Sequence, residues 1–67
     1  MDMSVTYEQL RRLGIEHLRR LPPGARIVVR DRVFSPEQLI AEVVADTVYG
    51  RTWLLMFAKQ SGLLVVG

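Results

Sequence analysis

Ile27-Val28-Val29-Arg30-Asp31-Arg32-Val33-Phe34, followed by Ser35-Pro36-Glu37-Gln38, is the stretch that decides the fold class. The first eight residues are rich in β-branched side chains, which suit a pleated, half-buried surface. The next four spell a helix start: an N-cap serine, proline at the first helical position, an acid in the first turn and a capping-box glutamine. A strand region running straight into a helix start predicts an α+β fold. Residues 27–34 read either as one strand or as a tight hairpin turning at Arg30-Asp31. The hairpin is preferred, although Arg-Asp is a weaker two-residue turn than Asn-Gly.

Upstream, Thr6-Tyr7-Glu8-Gln9 is a second capping box and opens a helix expected to run to about Leu21. At 100° per residue, Tyr7, Leu10, Leu13, Gly14, His17, Leu18 and Leu21 share its apolar arc, with Ile15 off the pattern. Glu8/Arg12 and Glu16/Arg20 are spaced to pair along the opposite face. Leu21-Pro22-Pro23-Gly24 stops the helix, because a proline disfavours helical geometry in the residue before it and lacks a backbone donor.

Downstream, Leu39, Ile40, Val43, Val44 and Thr47 form the apolar face of the helix that starts at Ser35-Pro36, opposite an acidic stripe of Gln38, Glu42 and Asp46. The pattern breaks over residues 46–50, where Asp46 or Thr47 can cap a new helix. Trp53-Leu54-Leu55-Met56-Phe57-Ala58 is apolar on every side and reads as buried helix or buried strand. Helix is preferred, since the stretch has no β-branched residue and Gly62 stands where a helix C-cap belongs. The architecture expected over a single domain, residues 1–67, is therefore α+β and mostly helical. It comprises an N-terminal amphipathic helix, a short strand or β-hairpin, two helices with a strand as the alternative for the last, and a short apolar C-terminal segment.

The chain has 67 residues, no cysteine and one histidine. Disulfides are excluded, and neither a metal nor a cofactor site is expected, because zinc needs about four suitable ligands. No catalytic residue is expected either. Glu16 and His17 are helix neighbours pointing about 100° apart. Ser4, Ser35 and Ser61 have no sequence-linked base, and the glycines at 14, 24, 50, 62 and 67 form no phosphate-cradling loop. Met1 to Arg20 lacks an apolar signal-peptide core, and the apolar stretch from Trp53 to Val66 is broken by Lys59-Gln60-Ser61-Gly62, short of the roughly 20 residues of a membrane span. A cytoplasmic location is expected.

A chain of this length buries only about 60% of its unfolded surface, yet 49% of its residues are hydrophobic. Association is therefore the expected function, as a homo-oligomer or as an accessory subunit docking on another protein through an apolar surface of residues 39–57. Leu39, Val43, Tyr49, Trp53, Met56 and Phe57 are the expected interface. Charge is segmented: net +3 over residues 1–32, −3 over 33–49 and +2 over the remainder. The alternative is a nucleic-acid-binding regulator whose phosphate contacts come from Arg11, Arg12, Arg19, Arg20, Arg30 and Arg32, although Glu8 and Glu16 interleave with them.

Met3-Ser4-Val5-Thr6-Tyr7, the amphipathic helix, Gly24 and Ile27-Val28-Val29-Arg30 resemble the N-terminal domain of Phd-type antitoxins, over about half the chain. The likeness ends where Ser35-Pro36 opens a helix. The resemblance implies a dimeric DNA binder whose contacts fall to Arg11 and Arg12.

Overall fold

The computed structural model describes residues 3–66. Its elements run β1 (Met3–Thr6), α1 (Tyr7–Arg19), β2 (Ile27–Val29), β3 (Arg32–Phe34), α2 (Pro36–Ala45), α3 (Val48–Gln60) and β4 (Leu63–Val66). This is the α+β, mostly helical layout expected, with the open alternatives resolved: residues 27–34 form a hairpin, 53–58 lie in a helix and 63–66 make a strand.

Both capping boxes close. Thr6 Oγ1 accepts from the Gln9 amide at 3.1 Å while the Thr6 amide donates to Gln9 Oε1 at 2.8 Å. Ser35 and Gln38 repeat the exchange at 3.2 and 3.0 Å. α1 ends at Arg19, two residues before Leu21, as expected where Pro22 bars helical geometry from the residue ahead of it. Its ion pairs use the tighter spacing, Glu8 with Arg11 at 3.5 Å and Glu16 with Arg19 at 3.4 Å, in place of Arg12 and Arg20. In the hairpin Val28 faces Val33, and Arg30 carries the turn with a φ of 58°.

The sequence reading placed no element before Tyr7. The structure has β1 there, paired in parallel with β4, with Val5 opposite Val65 and Thr6 opposite Val66. A parallel pair needs a long crossover, and here the whole body from α1 to α3 supplies it.

The buried core takes Val5, Val29 and Phe34 from the first three strands, Leu10 and Leu18 from α1, Leu39 and Val43 from α2, and Trp53, Leu54 and Ala58 from α3, with the half-buried Leu63 and Val65 of β4 packed against it. α1 is rotated from the expected arc. Leu10, Gly14 and Leu18 are its buried line, Ile15 packs on the core, and Leu13 and His17 are exposed. The cause is Gly14: a Cβ there would stand 2.5 Å from Leu54 and 2.9 Å from Trp53, so α3 crosses α1 at the glycine and the buried stripe centres on it.

Candidate association surface

Which side of α3 faces solvent is decided by its contacts on the other side. Thr47 caps the helix by accepting from the Gly50 amide at 3.3 Å, and its hydroxyl donates to Glu42 Oε1 at 2.8 Å, tying the start of α3 to the end of α2. Gly50 presses against that last turn so closely that a Cβ would lie 2.5 Å from the Glu42 carbonyl oxygen. With Gly50, Trp53, Leu54 and Ala58 turned inward, Val48, Leu55, Met56 and Lys59 are left on the outward arc, with Thr52 half-buried between them. Val48, Leu55 and Met56 are 52, 57 and 41% exposed.

This corrects half of the expected interface. Leu39, Val43 and Trp53 lie inside the chain's own core, at 0, 1 and 7% exposure, because α2 and α3 pack against each other and against α1 through them. Tyr49 is half-buried between Phe34, 5.5 Å away by ring centroid, and the Arg32 guanidinium, 5.2 Å above its ring. Phe57 is half-buried, stacked on Trp53 at 5.2 Å with His17 at its other neighbour distance of 5.1 Å. Of the six, Met56 is the one that is exposed. Val48 and Leu55 on α3, with Leu64 and Val66 on β4, are exposed and were not among the expected residues. Gly14 and Gly50 were the available signal, since a glycine inside a helix often marks the side where another backbone or ring comes close.

An open groove of about 460 Å³ lies where β4 meets α3, lined by Tyr7, Asp46, Arg51, Leu55, Val65 and Val66. Successive strand residues point to opposite faces, so a groove touching both Val65 and Val66 meets the margin of β4. At its polar end Asp46 closes α2 with a φ of 58° and gathers three donors. Arg51 grips it two-pronged, Nε to Oδ1 at 3.0 Å and Nη2 to Oδ2 at 2.7 Å, and the Tyr7 hydroxyl donates to Oδ1 at 3.0 Å. Those bonds, Arg51 first and Tyr7 second, hold the Asp46 carboxyl down at about 2. Burial, then the neighbouring carboxylate, pushes the Tyr7 phenol up. Arg11 stands behind them, donating through Nη2 to the Val44 carbonyl at 3.1 Å. The cluster is a neutral pair within the chain with a phenol attached, and its hydrogen bonds brace α1, the end of α2 and α3 at one point.

The six candidate phosphate-binding arginines are not gathered on one element. Arg11 is occupied by Glu8 and Val44, Arg19 by Glu16, and Arg32 by the Tyr49 ring. Arg12 and Arg20 are exposed on α1, and Arg30 is exposed at the hairpin turn. Among the described residues, no three His, Asp or Glu side chains come close enough together to hold a metal ion, and no helix is long and apolar enough to cross a membrane. No family model, curated protein or solved structure matches the chain, so its own geometry is what any functional reading stands on.

Proposed function

We propose that this chain is a small, non-enzymatic assembly module that works by associating with a second copy of itself through the outward side of α3 and the adjoining β4. The observation that carries the reading is the apolar exposure on those two neighbouring elements: Val48, Leu55, Met56, Leu64 and Val66, five of the ten exposed large hydrophobics among the described residues, are each at least 41% exposed. Together they offer on the order of 400 Å² of apolar surface, about half of the roughly 800 Å² per partner in a standard interface and close to the ordinary apolar share of such a contact. The charges nearby do not oppose self-contact, because Arg51 is already neutralised by Asp46. That leaves Lys59 as the unpaired charge at the end of the arc.

Sedimentation of the wild type beside Leu55→Glu tests the reading. A carboxylate at a position 57% exposed leaves the monomer fold intact but is expensive to bury at an interface. The wild type is expected to sediment as an oligomer and the variant as a monomer with an unchanged circular dichroism spectrum. Equal sedimentation of the two would remove α3 from the contact.

A further inference from the structure

The sheet formed by β1 and β4 is unfinished on one side, and the hydrogen bonds say which. The Met3 amide donates to the Gly62 carbonyl at 3.3 Å, which fixes the alternation of main-chain groups along the pair. Leu64 and Val66 therefore aim their amides and carbonyls at β1, and Leu63 and Val65 aim theirs away, where among the described residues no further strand joins this two-stranded sheet. By the same alternation β1 aims Ser4 and Thr6 outward, but there the Thr6 amide is already taken by Gln9 Oε1 at 2.8 Å. The capping box of α1 thus half-closes the β1 edge, while the β4 edge stays open.

That open edge is short, at four residues, but carries no chemical guard. Leu63-Leu64-Val65-Val66 has no charge and no proline, the two commonest guards against strand addition. Parallel sheets are ordinarily covered on both faces. Here Leu64 and Val66 face outward at 55 and 43% exposure, and Leu55 borders the groove beside Val65 and Val66.

Resting on the association reading, we infer that the second copy adds its own β4 to this edge, antiparallel, so that the sheet becomes four strands in the order β1-β4-β4-β1. The register follows from which groups are open. With Leu63 opposite Val65 of the second copy, and Val65 opposite its Leu63, the amides and carbonyls of both residues are satisfied in both chains by four hydrogen bonds. The twofold axis then passes between the two Leu64 residues, which meet as a non-hydrogen-bonded pair with Cα atoms about 4.5 Å apart on the outer face. A twofold contact must be self-complementary. An uncharged, all-apolar strand beside an internally neutralised Arg51–Asp46 pair meets that condition without setting like charges against each other. A heterologous peptide with a sequence like β4 would fit the same edge, and the cross-linking below tells the two apart.

The chain has no cysteine, so single substitutions report proximity without background. A Cα separation of about 4.5 Å lies within the range a disulfide spans. Leu64→Cys, oxidised with diamide at about 10 µM protein, is expected to form a linked dimer on the order of a hundredfold faster than Val28→Cys, whose position on the β2–β3 hairpin is 64% exposed. In the wild type, amide exchange at Leu63 and Val65 is expected to slow as concentration rises, while Leu64 and Val66 are protected throughout. An oligomer by mass in which Leu64→Cys links no faster than Val28→Cys, or in which the Val65 amide exchanges as an open group, would overturn edge pairing and leave association standing. A wild type that stays monomeric at every concentration would overturn both.

Discussion

Replacing Gly50 by alanine sets two effects of opposite sign against each other. Gly50 sits in the first turn of α3, and intrinsic helix propensity favours alanine over glycine by about 1 kcal/mol in a helix interior. The added Cβ would stand 2.5 Å from the Glu42 carbonyl oxygen, 2.6 Å from its carbon and 2.7 Å from the Val43 nitrogen. These are backbone atoms of the last turns of α2, which cannot swing aside as a side-chain tip can. Relief requires α2 and α3 to separate by roughly 1 Å, and a gap of that size forfeits a quarter to a half of each contact's attraction. The contacts at risk are those of the buried Val43, Trp53 and Leu54. Overpacking of this kind costs about 1–3 kcal/mol and more where backbone must move, so the expected net loss is about 2 kcal/mol. In a domain of this size that lowers Tm by about 8–16 °C. Thermal and urea unfolding, followed by circular dichroism and by the fluorescence of the single tryptophan, gives the number. Gly24→Ala, where a Cβ meets nothing within 4 Å, serves as the control and is expected to be neutral or slightly stabilising. A Gly50→Ala protein as stable as the wild type or more so would refute the close crossing of α2 and α3, since propensity would then be the whole effect.

Adjacent leucines on α3 should behave oppositely: Leu54→Ala, at 0% exposure, costs about 2–5 kcal/mol in urea unfolding, and Leu55→Ala stays within about 0.5 kcal/mol for the dissociated monomer. Asp46 titrates at about 2 when folded, below its ordinary 3.8, so its contribution to stability is present above about pH 4 and lost as pH falls toward 2. The urea-midpoint gap between wild type and Asp46→Asn should close across that window, and a gap that stays constant with pH would show that the carboxylate is not held by Arg51 and Tyr7. Asparagine tolerates the φ of 58° at this position, which keeps the backbone out of the comparison. Because Arg11, Arg19 and Arg32 are engaged within the chain, duplex DNA is expected to be bound no more tightly than about 10 µM at physiological salt, in the range of non-specific contacts. Sub-micromolar, steeply salt-dependent retention would instead return the function to the arginines.

The local signals were the legible ones. Each capping box lies within four residues and works through its own backbone, so Thr6-Tyr7-Glu8-Gln9 and Ser35-Pro36-Glu37-Gln38 announced their helices without tertiary context. The hairpin was readable from β-branched residues on both sides of Arg30-Asp31, although a positive φ at an arginine is unusual and is imposed by the strands pairing around it. β1 was not legible. Met3-Ser4-Val5-Thr6 is too short to show a period, and its partner lies some sixty residues away in sequence. The inward side of α3 was hidden for another reason: a stretch apolar all round has no preferred side by periodicity. The crossings at Gly14 and Gly50, which exist once three helices are packed, decide that Trp53 and Leu54 go in while Leu55 and Met56 stay out. The burial of half of the expected interface residues has the same cause. Leu39, Val43 and Trp53 are apolar enough for either use, and the core claimed them.

The central claim is that the exposed side of α3 and β4 is covered by a second copy of the chain. The measurement that meets it most directly is the absolute mass of the wild type by light scattering, at physiological salt and across a hundredfold range of concentration. The account predicts a mass rising to about twice the 7.7 kDa of one chain and holding there, as closure about a twofold axis requires. A mass that stays at that of one chain up to the highest concentration would contradict it.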